Sequence, residues 1–105
     1  MVIGTYLYSK GFPKEELFAL GNQIRRSVVS VAANIAEGFA RTSKKEKARF
    51  MNIAQGSLEE TRYFLLLAME LGYGDSNQLQ ETAEEVSRML YSYRNKILIS
   101  SKVPG

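Results

Sequence analysis

The sequence predicts an all-α protein, an antiparallel up-down four-helix bundle with a short first helix, and three observations carry that expectation. Apolar residues recur every three or four positions over three long stretches, the spacing of one face of an α-helix. Most glycines fall between those stretches, and only 2 prolines interrupt the 105 residues. The connections are short, so consecutive helices must pack side by side in opposite directions. The chain is long enough for one domain, residues 1–105, with a core of its own. At 45% hydrophobic and 24% charged residues it has the composition of a globular protein.

The first helix is expected over residues 2–10, with Ile3, Tyr6 and Leu7 on one face. Gly11-Phe12-Pro13 breaks it. Pro13 suits the first position of a new helix, and Glu15 and Glu16 suit its dipole-favoured first turn. That second helix is expected over 13–37, with Leu17, Leu20, Ile24, Val28, Val31 and Ile35 forming one stripe and Gly38 closing it as the C′ residue. Ser43 and Glu46 read as a capping box opening a third helix over 44–71. Its seam alternates four and three through Phe50, Ala54, Ser57, Thr61, Phe64, Ala68 and Leu71. Gly72-Tyr73-Gly74 stops it, and Asp75 or Ser76 caps a fourth helix over 76–99 with a seam from Leu79 through Ala83, Val86, Leu90 and Tyr93 to Ile97. The tail from Ser100 to Gly105 is expected to fray.

Two helices carry more apolar surface than one bundle core uses. On the second, Val29, Ala32, Ala33 and Ala36 lie off the main stripe, and polar residues keep only the strip of Gln23, Ser27, Ser30, Asn34 and Glu37. On the third, Tyr63, Leu66 and Leu67 point away from the seam. A helix apolar on two sides in so small a bundle points to a homo-oligomer, although alanines also raise helix propensity without any partner.

Absent residues exclude much chemistry. There is no cysteine and no histidine, hence no disulfide, no Ser-His-Asp triad, no usual zinc site and no Glu-x-x-His di-iron motif. No stretch of about 18 apolar residues is present to span a membrane, and no secretory signal pattern opens the chain. The expectation is a cytoplasmic protein without cofactor and without enzymatic activity. The carboxylates Glu59, Glu60, Glu84 and Glu85 read as a solvated face, since adjacent helical residues diverge by about 100°.

Charge is segregated along the chain. Between positions 25 and 50 seven basic residues (Arg25, Arg26, Arg41, Lys44, Lys45, Lys47, Arg49) oppose Glu37 and Glu46. Between 59 and 85 seven acids oppose Arg62 alone, although the whole chain is only +3. The seven basic residues are the candidate nucleic-acid contacts, and those at the start of the third helix gain from backbone amides and the helix dipole. No aromatic stacking platform accompanies them, so binding is expected to have low sequence specificity. Asn34, Glu37 and Gly38 read as a polar network at a helix exit. Gly56, beside Ser57 in mid-helix, costs up to about 1 kcal/mol relative to alanine, which a closely packed helix would offset.

Several segments resemble one family. Phe12-Pro13-Lys14-Glu15-Glu16 with Gln23-Ile24-Arg25-Arg26 is similar to its opening. The stronger match is Ala33-Asn34-Ile35-Ala36-Glu37-Gly38-Phe39, in register with Ala54-Gln55-Gly56-Ser57-Leu58-Glu59-Glu60. Leu71-Gly72-Tyr73 and Arg88-Met89-Leu90 extend it. These segments resemble the bacterial four helix bundle protein family, also called the 23S rRNA intervening-sequence protein family. The resemblance implies a left-handed bundle assembled as a homopentameric ring, with no enzymatic activity. A related group, the accessory variability determinant proteins of diversity-generating retroelements, implies partners in nucleic acid, RNA or DNA, and a reverse transcriptase. The family's first helix is longer than the one here. The resulting expectation is an oligomeric bundle that binds structured RNA through its basic loop as an accessory to a larger enzyme. The rival expectation is a protein-interaction scaffold that binds no nucleic acid.

Overall fold

The structure, a computed structural model, describes residues 1–102. Its helices are α1 (Val2–Ser9), α2 (Lys14–Leu17), α3 (Leu20–Ala40), α4 (Lys44–Glu70) and α5 (Asn77–Lys102), and no strand occurs among the described residues. The helical bundle is as expected, with α2 a single turn. Paired contacts run in opposite senses along neighbouring helices: Ser27 and Ser30 meet Thr61 and Ser57, while Gln55 and Asn52 meet Ser87 and Arg94. Helices α3, α4 and α5 are therefore antiparallel in sequence order, with α4 between the other two. Helix α1 lies against α3 and the start of α5, where Leu79 reaches Gly4 and the Tyr8 hydroxyl donates to the Gly74 carbonyl at 2.8 Å.

The molecule is 56 × 21 × 16 Å, and its core divides along that length. One cluster joins Val31 of α3, Met51, Ala54 and Leu58 of α4, and Ala83 and Leu90 of α5. The other joins Phe12, Leu20, Ile24, Leu65 and Ala68 under the end covered by α1 and α2. Eight residues give α1 about 12 Å of length against about 40 Å for the 27 of α4. The far half of the bundle is accordingly three helices thick.

Several boundaries differ from the sequence reading, those of α1, α4 and the start of α5 by a single residue. The expected 13–37 helix is two helices, because Ala19 adopts φ −101°, ψ −90° between α2 and α3. That turn lets Phe12 and Leu20 bury in one cluster, and it leaves Phe18 85% exposed. Pro13 is the N-cap of α2, its carbonyl accepting from Glu16 and Leu17. Helix α5 continues to Lys102, past the expected end at 99, and the remainder of the expected frayed tail, 103–105, lies outside the described residues.

Gly38 is not a C′ residue. Helix α3 continues to Ala40, and Gly38 is buried inside it with a negative φ. A Cβ at Gly38 would come within van der Waals overlap of the Met51 terminal methyl and 3.2 Å from the Phe50 Cβ. The glycine is there for close helix approach. At Gly56 the opposite holds: nothing in the chain comes within 4 Å of where a Cβ would stand, so the close helix packing expected there is absent. The two positions should respond with opposite signs to substitution. In urea denaturation at low protein concentration, Gly56→Ala raises stability by about 0.5–1 kcal/mol. Gly38→Leu lowers it by about 1–3 kcal/mol through overpacking.

The α4–α5 turn behaves as its sequence suggests. Gly72 has φ +81°, Gly72 N donates to Met69 O, and Tyr73 N donates to Ala68 O. This is the paired 5→2 and 6→1 bonding of a Schellman stop, with Tyr73 packed near Ala68. Asp75 Oδ1 then accepts from Asn77 N, and the buried Ser76 hydroxyl donates to Leu65 O at 2.7 Å.

Burial pushes the Tyr8 phenol above its ordinary value; the Ser76 hydroxyl opposes this and the Asp75 carboxylate adds to it. A raised folded-state value favours the neutral phenol in the fold. The stability it contributes is complete below the unfolded value of about 10 and is lost as pH rises through that value toward the folded one. In an alkaline unfolding titration the parent chain loses stability above pH about 10, and Tyr8→Phe loses less over the same window.

Candidate nucleic-acid interface

The α3–α4 turn gathers five of the seven predicted basic residues at one end of the bundle. Arg41 leaves α3 in extended backbone, and Ser43 caps α4, its hydroxyl accepting from Glu46 N at 3.3 Å. Lys44, Lys45, Lys47 and Arg49 then fall within the first two turns of α4, where the helix dipole adds positive potential.

These side chains have distinct surroundings. Lys47 Nζ donates to the Gly38 and Phe39 carbonyls at 3.2 and 3.0 Å and so caps the C-terminus of α3. The guanidinium groups of Arg41 and Arg49 both lie over the Phe50 ring, 5.1 and 4.7 Å from its centroid. Arg41 also pairs with Glu37, and Arg49 with Glu46 at 3.2 Å. Those pairs are about half exposed, so water screens them and the cations stay available to an anion. Lys44 and Lys45 are exposed on the first turn. The balance of Arg41, Lys44, Lys45, Lys47 and Arg49 against Glu37 and Glu46 is positive.

Arg25 and Arg26 do not join this cluster. They stand roughly 24 Å back along α3, at 1.5 Å per residue. Arg25 donates to Ser9 Oγ at 2.8 Å and lies over the Tyr6 ring, holding α1 to α3. Arg26 is exposed on a separate open groove of about 1000 Å³ together with Phe18, Val29 and Leu71.

The polar strip of α3 mostly ties α3 to α4. Thr61 Oγ1 donates to Ser27 Oγ at 2.9 Å, the Ser30 and Ser57 hydroxyls are 2.8 Å apart, and Asn34 Nδ2 donates to the Ser30 carbonyl. Glu37 points outward to Arg41, while Gln23 is exposed on the groove beside Arg26. Among the described residues no three carboxylates gather into a metal-holding group, and no helix is long and apolar enough to cross a membrane.

Sequence reasoning missed two contributors to the basic end. Phe50, read as a seam residue, is half-buried and supports two arginines; its adjacency to Arg49 was the available signal. Helix α5 also returns Arg94 to this end, where it donates to Asn52 Oδ1 at 2.6 Å. Only the antiparallel fold places it there, 45 residues after Arg49 in the chain.

The family model described as 23S rRNA-intervening sequence protein matches residues 1–92. The chain belongs to that family. The match spans α1 to α4 and most of α5, the α3–α4 turn included. No curated protein matches the chain.

Proposed function

We propose that this chain is a non-enzymatic cytoplasmic protein that binds structured RNA, or another nucleic acid of similar backbone charge, through the basic end built around the α3–α4 turn. The observation that carries the reading is the convergence of Arg41, Lys44, Lys45 and Arg49 on the N-terminal turns of α4, against only two carboxylates. Such a surface contacts phosphates and carries little base information, which gives low sequence specificity. Membership of the family supports RNA as the polyanion.

The assembly belongs to the same proposal. Ile3 and Leu7 on α1 are 76% and 61% exposed, and Val29 on α3 is 42% exposed beside the alanines of the outer face of α3. Burying that face between subunits makes a homo-oligomer, for which the family resemblance implies a homopentameric ring, and in such a ring phosphate contacts multiply by avidity. A ring of this kind suits an accessory factor that presents nucleic acid to a larger enzyme such as a reverse transcriptase.

A second reading has its own support. Tyr63 and Leu66, 60% and 45% exposed, sit with Glu59, Glu81 and Glu84 along an α4–α5 groove, a surface suited to a protein partner. Fluorescence anisotropy of a labelled RNA hairpin separates the two. Saturable binding, matched by a second hairpin of unrelated sequence, supports the nucleic-acid reading. A flat titration removes it in favour of the scaffold.

A further inference from the structure

We propose that a groove at the basic end, between the start of α4 and the late part of α5, is a subsite for one unpaired nucleotide of a structured RNA, an inference that rests on the nucleic-acid reading above. The groove has a volume of about 520 Å³ and is lined by Lys45, Glu46, Ala48, Arg49, Asn52 and Leu98. That size falls within the roughly 300–1,000 Å³ of small-ligand sites. It is a separate concavity from the one along Tyr63 and Leu66 farther down the same two helices.

The walls suit a base and the rim suits its phosphates. Ala48 is buried and Leu98 is 40% exposed, so the two offer an apolar surface to a flat ring. The aliphatic stems of lysine and arginine extend such a surface and keep their charged heads in water. Asn52 supplies the polar contact. Its Oδ1 accepts from Arg94 Nη1 at 2.6 Å. A guanidinium has no acceptor, so the atom facing it must be the carbonyl oxygen, and the amide orientation is fixed. The Asn52 Nδ2 hydrogens have no partner among the described residues, which leaves them to an acceptor on a base edge. Around this contact three cations, Lys45, Arg49 and Arg94, stand against one carboxylate, Glu46, which is paired with Arg49 at 3.2 Å. That excess of positive charge favours the phosphates on either side of the base.

Only an unpaired nucleotide can use such a site. In an A-form duplex the base faces are stacked and the narrow major groove hides their edges, so side chains reach bases at loops and bulges. A surface that held phosphates alone would need neither an apolar recess nor an oriented amide. Every base has a flat face and an acceptor on its edge, so the subsite reads whether a nucleotide is paired and not which base it is. Low sequence specificity and a preference for structured RNA over plain duplex follow from the same groove.

Fluorescence anisotropy of the full chain with two labelled RNA duplexes tests the proposal. One carries a single bulged uridine, the other an abasic residue in the same bulge. Both have the same number of phosphates, so the ratio of their affinities cancels the attraction to the backbone. The parent should bind the bulged uridine roughly fivefold tighter, the worth of an added hydrogen bond and apolar contact. Asn52→Leu and Leu98→Ser change no charge, and each should bring the ratio toward one while the helical circular-dichroism spectrum stays that of the parent. A parent ratio of one, with both RNAs bound, would overturn the subsite and leave the nucleic-acid reading standing. A ratio unchanged in both variants would overturn it as well, because the base is then held elsewhere. Failure to bind either RNA would overturn the underlying reading and the subsite with it.

Discussion

Lys44→Glu/Lys45→Glu lowers affinity for a structured RNA by on the order of tenfold or more at about 0.1 M salt, and flattens the salt dependence by about two phosphate contacts per subunit. Each reversal removes a cation from the first turn of α4 and sets a carboxylate against the phosphates. Lys47 is left in place in this variant because its ammonium caps the Gly38 and Phe39 carbonyls. Changing it would unsettle the end of α3 and confuse a folding defect with a binding one. Beside Lys47, Arg41 and Arg49 keep their support on Phe50, so residual binding is expected. A helical circular-dichroism spectrum identical to the parent's, beside the lost affinity, identifies the effect as electrostatic.

Leu58→Ala has the largest expected effect on stability. Leu58 is fully buried at the level where α3, α4 and α5 all meet, in one cluster with Val31, Met51, Ala83 and Leu90. This part of the bundle is only three helices thick, so no further element can close over the void. The loss is about 3 kcal/mol, within the usual 2–5 kcal/mol for buried leucine truncation. In a domain of this size it lowers Tm by roughly 12–24 °C. A fall of less than about 4 °C (about 1 kcal/mol or less) would mean that the cluster around Leu58 is looser than described.

The helices were legible because their periodicity reports which face is buried. The seam through Ala83, Leu90 and Ile97 of α5 is buried as read. On α4, Ala54, Thr61 and Ala68 are buried, but the line through Phe50, Ser57 and Phe64 runs one residue beside the buried Met51, Leu58 and Leu65. The stop at Gly72 was legible because a Schellman motif needs a residue at positive φ. Gly38 was misread for the same reason. A glycine after an alanine-rich helix looks like a terminator, and only the fold brings Met51 and Phe50 against it. The break at Ala19 was hidden by the unbroken apolar spacing across it, since Phe12 and Leu20 share a cluster that no linear pattern relates. Gly56 looked like a packing position, yet faces open space within the chain.

The basic end was partly legible. A run of lysines on a capped turn is local information, and the structure keeps Arg41, Lys44, Lys45, Lys47 and Arg49 together. Arg25 and Arg26 were grouped with them by proximity in sequence, but about 24 Å of helix separates them, and Arg25 is spent on Ser9 and Tyr6. The reverse error concerns Arg94, distant in sequence and close in space.

The central claim, that this chain holds nucleic acid by its phosphates, is tested most directly by measuring affinity for one RNA hairpin across a salt series. The account predicts a linear fall of log affinity with log salt, with a slope corresponding to several phosphate contacts per assembly, and the same slope for a hairpin of different sequence. Absence of binding at low salt, or an affinity insensitive to salt, would contradict it and turn the search to protein partners of the α4–α5 groove.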